Sequence, residues 1–149
     1  MRSDSQYTVG IHTLMMVAFF QEDDINSRKV ARSIGCNPVI VRNVFVKLSR
    51  AGLLKAGQGR KRAELARSPA EITLKDVFMA TQSDDVDVMF KMYDPNPHCP
   101  IGKDIHCILS SRFENAKDAM LEEMSKTTIA DLVAELPPEK NRLPENLRD

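Results

Sequence analysis

The chain has no tryptophan, two tyrosines and only 5% aromatic residues in all, which leaves any core to aliphatic side chains and methionine. It has no uninterrupted apolar run approaching the roughly 18 to 20 residues that cross a bilayer. Its opening, MRSDSQYTVG, lacks the basic-then-apolar order of a secretion signal. A cytoplasmic protein with no membrane partner is expected. Three cysteines, an odd number in a chain without an export signal, do not make a disulfide framework and point to reduced thiols, a metal site or a redox switch. Catalytic signatures are missing as well: no phosphate-cradling glycine loop, no evident paired carboxylates, and no serine with a plausible His and Asp. The expectation is that the protein is not an enzyme.

What is there suits a soluble domain. Hydrophobic residues make up 42% and charged residues 28% of 149 residues, a balance that excludes wholesale disorder and a collagen-like fibre. The length allows one ordinary domain, or a small domain with an appendage. The formal charge is zero, yet it divides sharply. Residues 1–67 hold 12 Lys plus Arg against 5 Asp plus Glu, a net of +7, and the remaining 9 basic and 16 acidic residues give −7. Counterion release from phosphates rewards local positive charge whatever the total, so a basic first half can bind nucleic acid.

Apolar residues recur at helical spacing from Tyr7 to Gln21, a first helix that should be largely buried. Ser27 is a candidate N-cap for a short helix from Arg28 to Ile34, stopped by Gly35. Asn37 then caps a third helix, with Pro38 at its first position, running to about Ala51 before Gly52. Two short helices across such a turn form a helix-turn-helix. Leu53 and Leu54 begin an extended segment, GQGRKR is a basic tip, and Ala63 to Ala66 return, which predicts a β-hairpin wing. The fold class is therefore mainly α: a winged helix-turn-helix with a small β-hairpin wing and a long C-terminal helix. Thr73 and Asp76 have capping-box spacing for a further helix. The stretches TQSDDVD and YDPNPHCP read as loops, and Ile101 to about Lys126 is the longest periodic segment. A last short helix, Ile129 to Leu136, stops at Pro137-Pro138. The expected organisation is a DNA-binding domain over residues 1–70, connecting and dimerisation helices over 71–136, and a flexible, frayed tail over 137–149.

In the third helix Val41, Val44, Phe45 and Leu48 supply the buried face. Arg42 and Asn43 emerge near its start, where base edges are reached, and Lys47 and Arg50 lie further along and suit phosphate. Arg bonds guanine in bidentate fashion and Asn does so with adenine, so this pair has the chemistry of direct readout. The plainer alternative is a solvated surface helix. Arg60, Lys61 and Arg62 follow Gly59 on a turn fit for a minor groove or a phosphate clamp, unless they too are merely solvated.

The long helix carries Ile105, Leu109, Phe113, Ala116, Met120 and Met124 along one stripe. Operator DNA is commonly read by two-fold dimers, so the stripe is expected to form a homodimer interface; the alternative is that it folds back on its own domain. Pro100 makes Cys99 the candidate N-cap of that helix, where backbone N–H groups and the positive end of the dipole favour a thiolate. His98, His106 and Cys107 lie nearby, but adjacent helical residues diverge by about 100° and struggle to converge on one metal. A thiol switch at Cys99, a metal or iron–sulfur centre, and inert packing cysteines all stay open. Cys36 reads as a small buried hydrophobe.

NPVIVRNVFVKLSRAGLL, then SPAEITLKDVF, then NPHCPIG, in that order, resemble the Rrf-two (Rrf2) family of bacterial winged-helix transcription regulators, in its YwnA-like branch, over roughly Tyr7 to Val133. The resemblance implies a homodimer held by the long helix on an imperfectly palindromic double-stranded operator. It implies DNA contact by Asn37, Val39, Arg42 and Asn43 and by the wing, Gly59 to Arg62; Ser27, Arg28, Pro38, Lys47 and Arg50 complete the candidate set. Members that sense iron–sulfur status use three cysteines before the long helix, whereas here Cys99 and Cys107 remain and Tyr93 takes the first place. The wing departs too, with Lys61-Arg62 where the family often has Gly-Gly, so its tip should be stiffer and more positive. The expected function is a sequence-specific DNA-binding regulator, a repressor in such families, responsive to thiol redox state through Cys99 and Cys107 and holding no assigned cofactor. A metal-dependent sensor of the same fold and a winged-helix protein-interaction module are the alternatives.

Overall fold

The computed structural model describes residues 5–56, 62–82 and 86–148. Helix α1 (Gln6–Phe19) buries Val9, Leu14, Met16 and Ala18 and lies at the centre of the core. Helix α2 (Ser27–Ile34) is capped by Asn26, whose side chain accepts from the Lys29 N–H at 3.0 Å, so the cap is one residue earlier than Ser27. Asn26 has the extended backbone that a cap requires, and its short amide reaches the third helical N–H. Helix α3 (Pro38–Arg50) starts as the sequence predicts, with the Asn37 side chain accepting from the Val39 N–H at 2.9 Å.

Strands β1 (Leu54–Lys55) and β2 (Glu64–Leu65) pair antiparallel, Leu54 opposite Leu65 and Lys55 opposite Glu64. The hairpin is tied inward at its base: Ala63 N–H donates to Ile25 O at 2.7 Å, and Ala66 N–H to Leu53 O at 3.0 Å. Such short strands hold because Leu53, Leu54 and Ala63 are buried, since an isolated hairpin in water is marginal.

Helix α4 (Leu74–Thr81) opens with the expected capping box, in which the Thr73 hydroxyl accepts from Asp76 N–H and the Asp76 carboxylate accepts from Thr73 N–H. Part of the segment expected to be a loop forms a single helical turn, α5 (Val86–Met89). Its apolar anchor is Phe90, whose ring stacks on Phe113 at a centroid distance of 4.6 Å, a contact no local pattern announces. Helix α6 (Pro100–Met124) follows, then α7 (Ile129–Val133) with a second capping box, Thr128 and Asp131. Thr73 and Thr128 form an isolated antiparallel bridge, with Leu74 N–H donating to Thr127 O and Ile129 N–H to Ile72 O. That bridge fastens the end of α6 back onto the start of α4, and both flanking isoleucines, Ile72 and Ile129, are fully buried.

The segment after Pro137, expected to fray, packs on the domain. Leu143 is 1% exposed, its N–H donates to the Asp23 carboxylate at 2.8 Å, and Arg142 pairs with Glu22 at 2.8 Å and Asp23 at 3.4 Å. The polar composition of EKNRLPENLRD hides this, because one buried leucine and one acidic loop carry the docking. The acidic EDD after α1 is therefore the tail's anchor as well as a solvated turn.

Candidate nucleic-acid interface

The turn between α2 and α3 depends on Gly35, whose φ of 81° lies in the left-handed region that glycine enters without strain. Its N–H returns to Ala31 O at 2.8 Å, and Cys36, half-buried against the core, donates to the same carbonyl at 3.1 Å. Helix α3 then divides cleanly. Val41, Val44 and Leu48 are fully buried and Phe45 nearly so, while Val39, Arg42, Asn43, Val46 and Arg50 are exposed along the opposite side. Arg42, Asn43 and Arg50 make no side-chain hydrogen bond or ion pair with any described residue. Val39, about one turn before Arg42, is 49% exposed, and Val46, about one turn after it, is 48% exposed. A face of cation, amide and aliphatic side chain matches the major-groove edges of guanine, adenine and thymine in turn.

Lys47 is placed differently from its neighbours. It is half-buried, and its Nζ donates to Gln6 Oε1, which fastens α3 to the start of α1. Arg28 is exposed on the first turn of α2, next to half-buried Ser27. Arg28 shares a shallow cleft with Arg32, Gly35, Cys36 and Pro38. Arg32 was not singled out from the sequence; its signal is its position one helical turn after Arg28 on the same face. Val46 was missed as well, because an apolar residue on a recognition face looks like core until the fold assigns its side. On the wing, Arg62 is exposed and sits 3.8 Å from the Glu64 carboxylate. Gly59, Arg60 and Lys61 lie outside the described residues.

The second candidate region is the start of α6. Cys99 is its N-cap with extended backbone, and its sulfur is exposed. It makes no full capping hydrogen bond, yet the N–H groups of Gly102 and then Ile101 face the sulfur and hold the thiol below its ordinary pKa. The preceding loop is pressed onto the helix: Cys99 N–H donates to Asn96 O at 3.2 Å, and a Cβ on Gly102 would stand 2.3 Å from that same oxygen. His106 Nε2 meets Tyr93 O at 3.1 Å, pinning the loop from the next turn, and the His98 N–H donates to Asn96 Oδ1. Cys107 is exposed, eight residues after Cys99. That spacing is about 12 Å along the helix and about 80° around it. Among the described residues no three His, Cys, Asp or Glu side chains are grouped to hold a metal ion.

Of the stripe expected at a dimer interface, Ile105, Leu109, Phe113, Met120 and Met124 are half-buried by the chain itself, and Ala116 is exposed. Phe90 covers Phe113. The large apolar side chains left open on this helix are Ile101, 67% exposed, and Ile108, 48% exposed, seven residues apart and so on one face.

These elements have close counterparts. A Bacillus subtilis protein, YwnA, named as a candidate HTH-type transcriptional regulator, is 32% identical over 134 residues, covering 89% of this chain and 98% of its own. The crystal structure of a candidate DNA-binding protein superposes with a TM-score of 0.70 at 31% identity, covering 86% of this chain and 98% of that one. IscR of T. potens shares the fold at a TM-score of 0.66 and 18% identity, over 94% of this chain and 91% of its own. The family profile named Rrf2, described as an iron-dependent transcriptional regulator, matches residues 3–135. With the winged helix and the long α6 thus accounted for along nearly its whole length, the chain belongs to the Rrf2 family of transcriptional regulators.

Proposed function

We propose that the protein is a sequence-specific repressor that binds a palindromic operator as a homodimer in the cytoplasm, with Cys99 as its redox-responsive point. The observation that carries this reading is the outer face of α3, where Arg42, Asn43 and Arg50 are exposed without a partner among the described residues while the other side of the helix is closed core. A surface helix with no ligand has little reason to hold two valines among such groups. Arg42 and Asn43 read base edges, Val39 and Val46 meet thymine methyls, and Arg28 and Arg32 hold phosphate beside the start of α3. The dimer forms through the open face of α6, centred on Ile101 and Ile108 rather than on the half-buried stripe that contains Phe113, which Phe90 covers.

The family description implies iron, and the residues here do not fit it within one chain. Cys99 and Cys107 are too far apart along α6 to share one compact cluster, and among the described residues no third ligand converges on either. Cys99 acts by its own chemistry: its thiolate attacks peroxide, an S–O bond forms as the O–O bond breaks, and hydroxide leaves. The added oxygen enlarges the cap of α6 and tilts the paired heads, whose half-sites must lie about one helical turn apart.

Selection of bound DNA from a random pool, with and without peroxide, tests the whole reading. The expected product is an inverted repeat that the oxidised protein loses and an oxidised Cys99→Ser protein retains. Recovery of no common sequence, with binding insensitive to salt between about 50 and 200 mM, would favour a protein-interaction module instead.

A further inference from the structure

A feature that DNA binding leaves unused is an open cavity of about 490 Å³ between α1, the end of α2 and the C-terminal segment. Met15, Met16, Phe19 and Phe20 form one wall, and Leu136 and Pro144 the other. Its lining includes one polar pair, His12 Nε2 and Ser33 Oγ, 2.9 Å apart. Two cations, Lys140 and Arg142, stand among its lining, and among the described residues no carboxylate does. Arg142 is already held by Glu22 and Asp23, whereas the Lys140 ammonium has no partner among the described residues.

We propose that this cavity binds a small carboxylic acid with an aromatic or otherwise apolar body. Its volume lies in the range of small-molecule sites, and the proportion of apolar wall to a few converging polar groups is the one such sites have. Methionine and phenylalanine side by side suit a planar, polarizable body, since the thioether adapts its shape and favours ring edges. The ammonium of Lys140 favours an anionic ligand, because a bond to a carboxylate adds charge attraction to the hydrogen bond and is stronger than one to a neutral oxygen. The docked tail makes the site: Leu136, Lys140 and Pro144 are in place because Leu143 is buried beside them. The ligand also touches α2 through Ser33, and α2 carries the turn into α3, so occupancy bears on the head. That consequence rests on the function proposed above, whereas binding itself does not and is measured without DNA.

The probe is 8-anilinonaphthalene-1-sulfonate, an aromatic anion that fluoresces in apolar surroundings, compared with its uncharged parent, N-phenyl-1-naphthylamine. On the full chain, one anion per protomer is expected. Met15→Trp, which fills the cavity, removes binding of both dyes. Lys140→Glu, at an exposed position that does not affect folding, weakens the sulfonate about fivefold or more and leaves the neutral dye unchanged. Far-ultraviolet circular dichroism and thermal midpoints establish that each variant is folded. Undiminished dye binding by folded Met15→Trp protein, or equal weakening of both dyes by Lys140→Glu, would overturn the proposal. If the site holds while no operator is ever found, the function fails and the pocket stands.

Discussion

At the residue scale, position on a helix decides what a basic side chain can do. Arg42 lies near the N-terminus of α3 on its open face, and Arg28 and Arg32 lie on α2 beside that end. Arg42→Ala is expected to cost about 1–3 kcal/mol of operator binding and to relax preference at one base position, whereas Arg32→Ala should weaken all sequences alike and lower the salt slope by about one. Fluorescence anisotropy across a salt series on single-base operator variants separates the two. Cys99 allows a pH test. Its pKa is lowered by the Gly102 and Ile101 N–H groups, so its thiolate persists at lower pH than that of an ordinary thiol. Iodoacetamide labelling followed by peptide mass should reach half its plateau below the usual thiol value. Gly102→Ala should move that midpoint upward, because its new methyl meets Asn96 O and displaces the N–H from the sulfur.

At the scale of elements, caps and clasps matter more than propensity. Both capping boxes are legible in the sequence as a Thr followed three residues later by an Asp, Thr73 with Asp76 and Thr128 with Asp131. Thr73→Ala is expected to lower stability by about 1 kcal/mol in chemical denaturation. The tail gives a sharper contrast. A frayed end would make Leu143→Ala silent, whereas burial at 1% exposure predicts a loss of about 2–5 kcal/mol. That leucine was invisible as core because a single apolar residue among charges has no period. The turn α5 is hidden for a similar reason, because its anchor Phe90 packs on Phe113, which is distant in sequence.

For the whole molecule, the division of charge and the open side of α6 point the same way. Under the proposed function, a basic head and an acidic body orient the protein on a polyanion with the body turned out, and two copies meet through apolar contact rather than charge. Ile108→Glu should therefore yield monomers in sedimentation at micromolar concentration with an unchanged circular dichroism spectrum, and operator affinity should fall with the loss of the second half-site. An unaltered dimer would show that another face of α6 is used.

The helices other than α5, the glycine turn, the buried and exposed sides of α3 and the N-cap position of Cys99 each follow from spacing within about a dozen residues, where period and capping chemistry act without help from the rest of the chain. Which stripe of α6 stays open, where the tail docks, that Lys47 serves α1, and that methionines and a lysine enclose a cavity were decided by packing between segments as far apart as Asp23 and Leu143. Local pattern reports which side chains are apolar or charged; only the assembled core determines which neighbour each one meets.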